Sequence, residues 1–225
     1  KEAEEMLSEF LNQQTFPEMA LEVGIKLWTG SYLKSAKKAK NIIDSGNEIR
    51  KNLGHWLSGT FYFEGEWYWG IDRLHHLERR LIESDISSNN SSPIVKRPEE
   101  NFNERLNASF LSLEFFPSLR SPYSAICFDR VISLADKAQI NLVLKPVMPM
   151  MMRGVSASRN KQIYIMTDAK READYYEQKL GPIVDPIGSP VKKAFELLPN
   201  LKEMDKDIEF CGNYLTAAWK EGVDI

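Results

Sequence analysis

Leu113-Glu-Phe-Phe-Pro-Ser-Leu-Arg-Ser-Pro-Tyr-Ser-Ala-Ile-Cys-Phe-Asp-Arg130 is the stretch that decides the fold class. An apolar strand leads into a short loop, and Ser121-Pro122 then opens a helix. Proline suits the first helical position, and serine suits the N-cap, where its oxygen takes up an unsatisfied backbone N–H. By itself the pair is an ordinary helix start. Behind a strand and a loop it aims a hydroxyl and a helix N-terminus out of the carboxyl end of a sheet, where open α/β folds bind ligands. A serine there cannot exchange disulfides, but it can donate to a foreign thiolate. Lowering a thiol pKa from ~8.5 to ~6.5 takes ~2.7 kcal/mol. A hydrogen bond to a charged acceptor supplies ~1.5–3 kcal/mol, and the helix N-terminus adds its partial positive charge. No histidine lies nearby in sequence, so Ser121 reads as a donor and not as a nucleophile.

Downstream, a helix from Pro122 to about Ala138 and a strand from Ile140 to Pro146 complete a βαβ unit, with parallel strands and a right-handed crossover. A Met- and Pro-rich loop follows, then helices around Tyr164 to Lys179, Pro190 to Leu198 and Glu203 to Glu221. Upstream, Trp56 to Phe63 and Glu66 to Trp69 flank Glu64-Gly65 and predict a β-hairpin. Beyond Gly70, the apolar Ile71, Leu74, Leu77, Leu81 and Ile82 share one helical face. Residues 1–52 read as helices, including a Lys34–Lys40 run that makes a solvated face. Residues 84–107, rich in Ser and Asn, have little to bury and read as a linker.

The bulk numbers narrow the class. A net charge of −3 gives no field for nucleic acid, and no apolar run approaches the ~20 residues that span a bilayer. Cys127 and Cys211 lie 84 residues apart without a CxxC, which argues against a disulfide scaffold or a cysteine zinc site. The Asn89, Asn90 and Asn107 triplets are chance matches without a secretory signal. A cytoplasmic location is the expectation.

The Ser121-Pro-Tyr-Ser124 helix start, Leu142-Val-Leu-Lys-Pro146 and Lys161-Gln-Ile-Tyr-Ile-Met-Thr-Asp168 together resemble the DsbA-like thioredoxin superfamily. The branch they are most similar to is that of 2-hydroxychromene-2-carboxylate isomerase and kappa-class glutathione transferase. Gly70-Ile-Asp-Arg-Leu74 resembles the Gly-x-Asp-Arg segment that opens the last helix of the same fold. That fold runs βαβ, helices, ββα, whereas this chain runs helices, ββα, linker, βαβ, helices. The expected class is therefore α/β, thioredoxin-like with a helical insertion, in fragments of two tandem units. Residues 1–84 would be the C-terminal half of a first domain, 85–108 a linker, and 109–225 the N-terminal half of a second. The Trp28 and Trp219 neighbourhoods echo one another, and the chain, starting at Lys1 and stopping at Ile225, reads as cut at both ends. The rival arrangement is a circular permutation whose halves complete one domain.

The resemblance implies glutathione as cofactor. It implies that Ser121 meets the glutathione sulfur, with Pro122 beside it, that Lys161 helps hold the tripeptide, and that Asp72 receives its γ-glutamyl end. It further implies an isomerase or transferase acting on a small aromatic or unsaturated carbonyl compound. The expected partners are glutathione and that substrate, without nucleic acid or membrane, and a homodimer is left open. One departure supports a non-catalytic binding protein as the alternative: Leu57-Ser-Gly-Thr60 lacks the family's cis-proline ahead of the hairpin. A disulfide oxidoreductase is disfavoured for want of paired thiols.

Other residues receive bland assignments. His75 and His76, as neighbours on a helix, are expected at surface or half-buried positions, with no metal. Asp168, Arg171 and Glu172 are expected to form a surface ion network worth little. Cys127 reads as a buried small apolar residue. Met148, Met150, Met151 and Met152 are expected either to pack the core or to line an apolar pocket near Ser121.

Overall fold

The structure is a computed structural model that describes residues 36–57, 59–84, 93–95, 97 and 109–225. The segments expected to be helical over residues 1–35, Trp28 and the three Asn triplets lie outside those residues. The described chain is mixed α/β and divides into two compact units, residues 1–58 and 59–225. In the first, helix α1 (Ala36–Asn52) carries the described part of the lysine-rich stretch, with Lys40 exposed.

The second unit begins with the expected hairpin. Strands β1 (Thr60–Phe63) and β2 (Glu66–Trp69) pair antiparallel around Glu64-Gly65. Gly70, at φ 93°, then turns the chain into a 3-10 turn (Ile71–Arg73) and helix α2 (Leu74–Glu83). A Cβ on Gly70 would sit 2.5 Å from Asp72 Oδ1, which that side chain could yield, so this corner needs glycine chiefly for its backbone angle.

Strand β3 (Ser112–Phe115), helix α3 (Pro122–Ala138) and strand β4 (Asn141–Leu144) form the βαβ unit, with β3 and β4 parallel as anticipated. Each sheet has two strands, and the two ladders stay separate among the described residues. A 3-10 turn (Met150–Arg153) precedes three helices, α4 (Arg159–Tyr175), α5 (Ser189–Glu203) and α6 (Asp207–Thr216); α6 ends in a π turn (Ala217–Glu221). Helix α4 starts earlier than its apolar pattern indicates because Ser158 caps it, accepting from Lys161 N.

The core lies where α3, α5 and α6 meet the β3–β4 ladder, around Leu119, Phe128, Leu144, Tyr214, Leu215 and Trp219. A Cβ at Gly212 would stand 3.3 Å from the Phe128 ring, so glycine permits the close approach of α6 to α3 there.

The second compact unit runs from residue 59 to residue 225. The hairpin and α2 share their unit with the βαβ segment, held by Arg73 on Asp168, by His76 on Glu172 and by Arg171 on the Trp67 carbonyl. The described linker residues are also anchored: the Ile94 and Val95 amides donate to the Glu78 carboxylate, and Arg97 donates to Glu172.

Candidate functional site

The loop ahead of α3 is built by short-range serine bonds. Ser118 N donates to Ser124 Oγ at 3.0 Å, and Ser124 N donates to Ser121 Oγ at 3.3 Å. Trp219 Nε1 reaches back to the Leu119 carbonyl at 3.5 Å and ties the loop to the core. Ser121 is thus the N-cap of a 17-residue helix, extended at φ −103° and ψ 122°, with Pro122 buried behind it. Among the described residues its own O–H donates to no protein group, which leaves that proton unspent.

It faces a cavity of about 400 Å³. The walls combine Ser121, Pro122 and Tyr123 from the helix start with Met148, Met150 and Met151 from the proline-rich loop. Met166 and Ile165 of α4 and Trp219 of the π turn close the far side. The thioethers expected near Ser121 are there, apart from Met152, and Met166 of α4 joins them as one the sequence did not place at the pocket. Arg120 borders the cavity and grips Asp185 through two 2.7 Å bonds, while its other terminal nitrogen contacts Met151 Sδ at 3.1 Å.

Asp72 opens onto a second cavity of about 430 Å³, bounded also by Trp69, Gly70, Arg73, Tyr123, Tyr164 and Asp168. Tyr123 belongs to both walls, so the structure brings the Ser121 and Asp72 positions onto neighbouring cavities within one unit. Lys161 sits half-buried in the first turn of α4 and lines neither cavity, although Gln162 beside it lines the first.

Beneath the second cavity lies a buried polar cluster, and here two expectations are corrected. Asp168 and Glu172 do not form a surface network; they are 2% and 6% exposed. Their partners come from far in sequence. Arg73 clasps Asp168 through Nε and Nη2 at 2.9 and 3.0 Å, and Tyr123 and Tyr164 donate to the same carboxylate at 2.7 and 3.3 Å. Arg171 turns away to Glu66 and the Trp67 carbonyl. Burial would raise the Glu172 carboxyl, but bonds from His76 and Arg97 and the nearby Arg73 charge outweigh it and hold the group near about 2.

His75 and His76 are likewise buried, at 8% and 5% exposed, with ring centroids 4.0 Å apart. Burial, then the repulsion of His76 and Arg97, pushes His75 down to about 4. Both histidines and Glu172 offer ligand atoms within 4.8 Å of one another. The chemistry does not fit a cation. Arg79 can only donate, so His76 Nδ1 accepts from it at 3.2 Å and Nε2–H is given to Glu172 at 2.8 Å. Arg73 and Arg97 already neutralise the carboxylate.

The cysteines stand apart from both cavities. Cys127 is half-buried, not buried as expected, and its Sγ leans on the Ser124 carbonyl at 3.7 Å. Burial raises its thiol above the usual value and pushes buried Cys211 up to about 12. Neither presents a thiolate near Ser121. Among the described residues no helix is long and apolar enough to cross a membrane.

Comparisons with known proteins found no matching family model, curated sequence or solved structure.

Proposed function

We propose that this chain has a thioredoxin-like fold of the DsbA branch and binds glutathione with its sulfur at Ser121, using the thiolate on a small aromatic or unsaturated carbonyl compound. The observation that carries this reading is the unspent Ser121 proton at a helix N-terminus, facing an apolar cavity of about 400 Å³. A serine O–H and the helix end both favour a sulfur anion over a neutral thiol. The parallel pairing of β3 and β4 around that helix supports this reading.

In the isomerisation, the thiolate adds to the alkene carbon conjugated with the carbonyl. A C–S bond forms, and the alkene electrons move onto the carbonyl oxygen as an enolate. The former double bond rotates, the enolate collapses, and the C–S bond breaks to return the thiolate. In a conjugation the enolate instead takes a proton from solvent and the C–S bond stays. The methionine-lined wall supplies the apolar surface for the carbon skeleton.

Calorimetric titration of glutathione into the whole chain tests the reading. Wild type is expected to bind, and Ser121→Ala is expected to bind at least about tenfold more weakly at a pH where the bound sulfur is anionic. Absence of binding at millimolar glutathione, or equal binding by the two proteins, would remove it. A non-catalytic binding role is the second reading, favoured by the absence of Lys161 from both cavity walls. Binding without any turnover of unsaturated carbonyl compounds would select it.

A further inference from the structure

Two of the chain's three histidines lie on α2 and are buried against α4; the third, His55, belongs to the first unit. His76 is occupied on both sides of its ring, by Glu172 and by Arg79. His75 is not. Its ring stacks 4.0 Å from that of His76 and meets the Tyr175 ring at 5.1 Å, and among the described residues its buried Nε2 has no hydrogen-bond partner. A neutral imidazole can sit there. A protonated one would be a buried cation whose new N–H has nothing to receive it.

The groups around His75 offer that cation no relief. Arg73 faces it from the 3-10 turn, His76 from α2, Arg97 from the stretch after α2, and Glu172 and Tyr175 from α4. Arg79 joins Arg97 over the Tyr175 ring. The one carboxylate among these groups, Glu172, is already shared by His76, Arg97 and Arg73. Nearby Asp168 is taken by Arg73 and two tyrosine hydroxyls.

What α2 holds in place is residues 60–83, the hairpin, the 3-10 turn and α2 itself. Their other ties to α4 are Arg73 on Asp168, Arg171 on the Trp67 carbonyl and Trp69 N on the Tyr164 hydroxyl, and none of these contains an imidazole. The core around Phe128, Leu215 and Trp219 contains none either. Mild acid therefore acts on one edge of the unit.

We propose that His75 is an acid-sensitive latch, whose protonation favours the parting of residues 60–83 from α4. The parting opens the second cavity, because it draws Trp69, Asp72 and Arg73 away from Tyr123, Tyr164 and Asp168. The latch does not depend on what either cavity binds.

Burial, then the repulsion of His76 and Arg97, sets the direction: the docked value is about 4 against an ordinary 6.5, so the parted segment takes up the proton first. The docked form is fully favoured above pH 6.5 and gives way as pH falls toward 4. From pH 7.5 to pH 5 the parted fraction should rise about thirtyfold.

Hydrogen exchange of the whole chain, read by fragment mass spectrometry and corrected for the intrinsic effect of pH, measures that fraction. The His75 ring-proton resonance follows the titration itself. Residues 60–83 are expected to lose about thirtyfold in protection at pH 5 while α3 and α6 keep theirs. His75→Phe and His75→Leu should each retain most of that protection. Unchanged protection of residues 60–83 at pH 5 overturns the proposal. So does a loss shared equally by α3 and α6, a His75 ring that titrates near 6.5 with the segment still protected, or a loss in both variants as large as in wild type. The wild-type measurement decides by itself where neither variant folds.

Discussion

Two regions that meet at Tyr123 use their polar groups in opposite ways. Around Asp168 and Glu172 most valences are used: carboxylates, guanidiniums, hydroxyls and the His76 imidazole satisfy one another in a buried interface between α2 and α4, with His75 Nε2 the one buried atom there that has no partner among the described residues. Around Ser121 a hydroxyl proton is left over beside an open apolar cavity. Both regions hold strong donors and acceptors, so polarity alone does not mark a binding site. Spare valence next to open space does. The filled cluster joins segments about 95 residues apart, and the unfilled one offers something to a ligand.

The sharpest way to break this contrast is to unsatisfy the filled side. Asp168→Ala leaves the largely covered Arg73 without its bidentate partner and strands two tyrosine hydroxyls. It should cost about 3–5 kcal/mol in denaturant unfolding. A loss below about 1 kcal/mol would mean that the cluster is wet and loosely held.

Acid attacks the same cluster more gently. The folded His75 value of about 4 lies below its ordinary 6.5, so the unfolded chain takes up the proton first as pH falls. Stability from this group is complete above pH 6.5 and is lost between about 6.5 and 4, up to about 3 kcal/mol. Glu172, held near about 2, extends the loss below pH 4.5. Unfolding free energies measured from pH 7 to pH 4 should fall for wild type and fall less for His75→Phe. Parallel curves would show that His75 is not the group responsible.

The open side should respond differently. Ser121→Ala removes an N-cap and should cost only about 1 kcal/mol of stability, with its larger effect on a bound sulfur anion. A loss near that of Asp168→Ala would make Ser121 a structural residue first.

How much of this was legible follows from the range of each interaction. The βαβ unit, the hairpin with its Glu64-Gly65 turn and the capping role of Ser121 are written within a few residues, in alternation, turn chemistry and Ser-Pro. The methionine wall was half legible: Pro146-Val-Met-Pro-Met-Met-Met152 is visible as a cluster, but Met166 enters from α4 by tertiary packing. The buried cluster was not legible. His75 and His76 look exposed by helical spacing, and only docking against α4 shows that Glu172, Arg97 and Tyr175 surround them. Asp168, Arg171 and Glu172 look like a surface triplet for the same reason, because Arg73 is 95 residues away. Sequence spacing finds the helices but misses the ends of α4, α5 and α6 by several residues, and it does not say which charged face will be buried by a distant segment.

The most direct test of the central claim is the titration of the glutathione sulfur itself, followed by ultraviolet thiolate absorbance in the complex with wild type and with Ser121→Ala. The account predicts that the bound thiol titrates well below its free value in wild type and moves back up by roughly one to two pH units in the variant. A bound thiol that titrates at its free value, or one that is equally acidic without the serine hydroxyl, would contradict it.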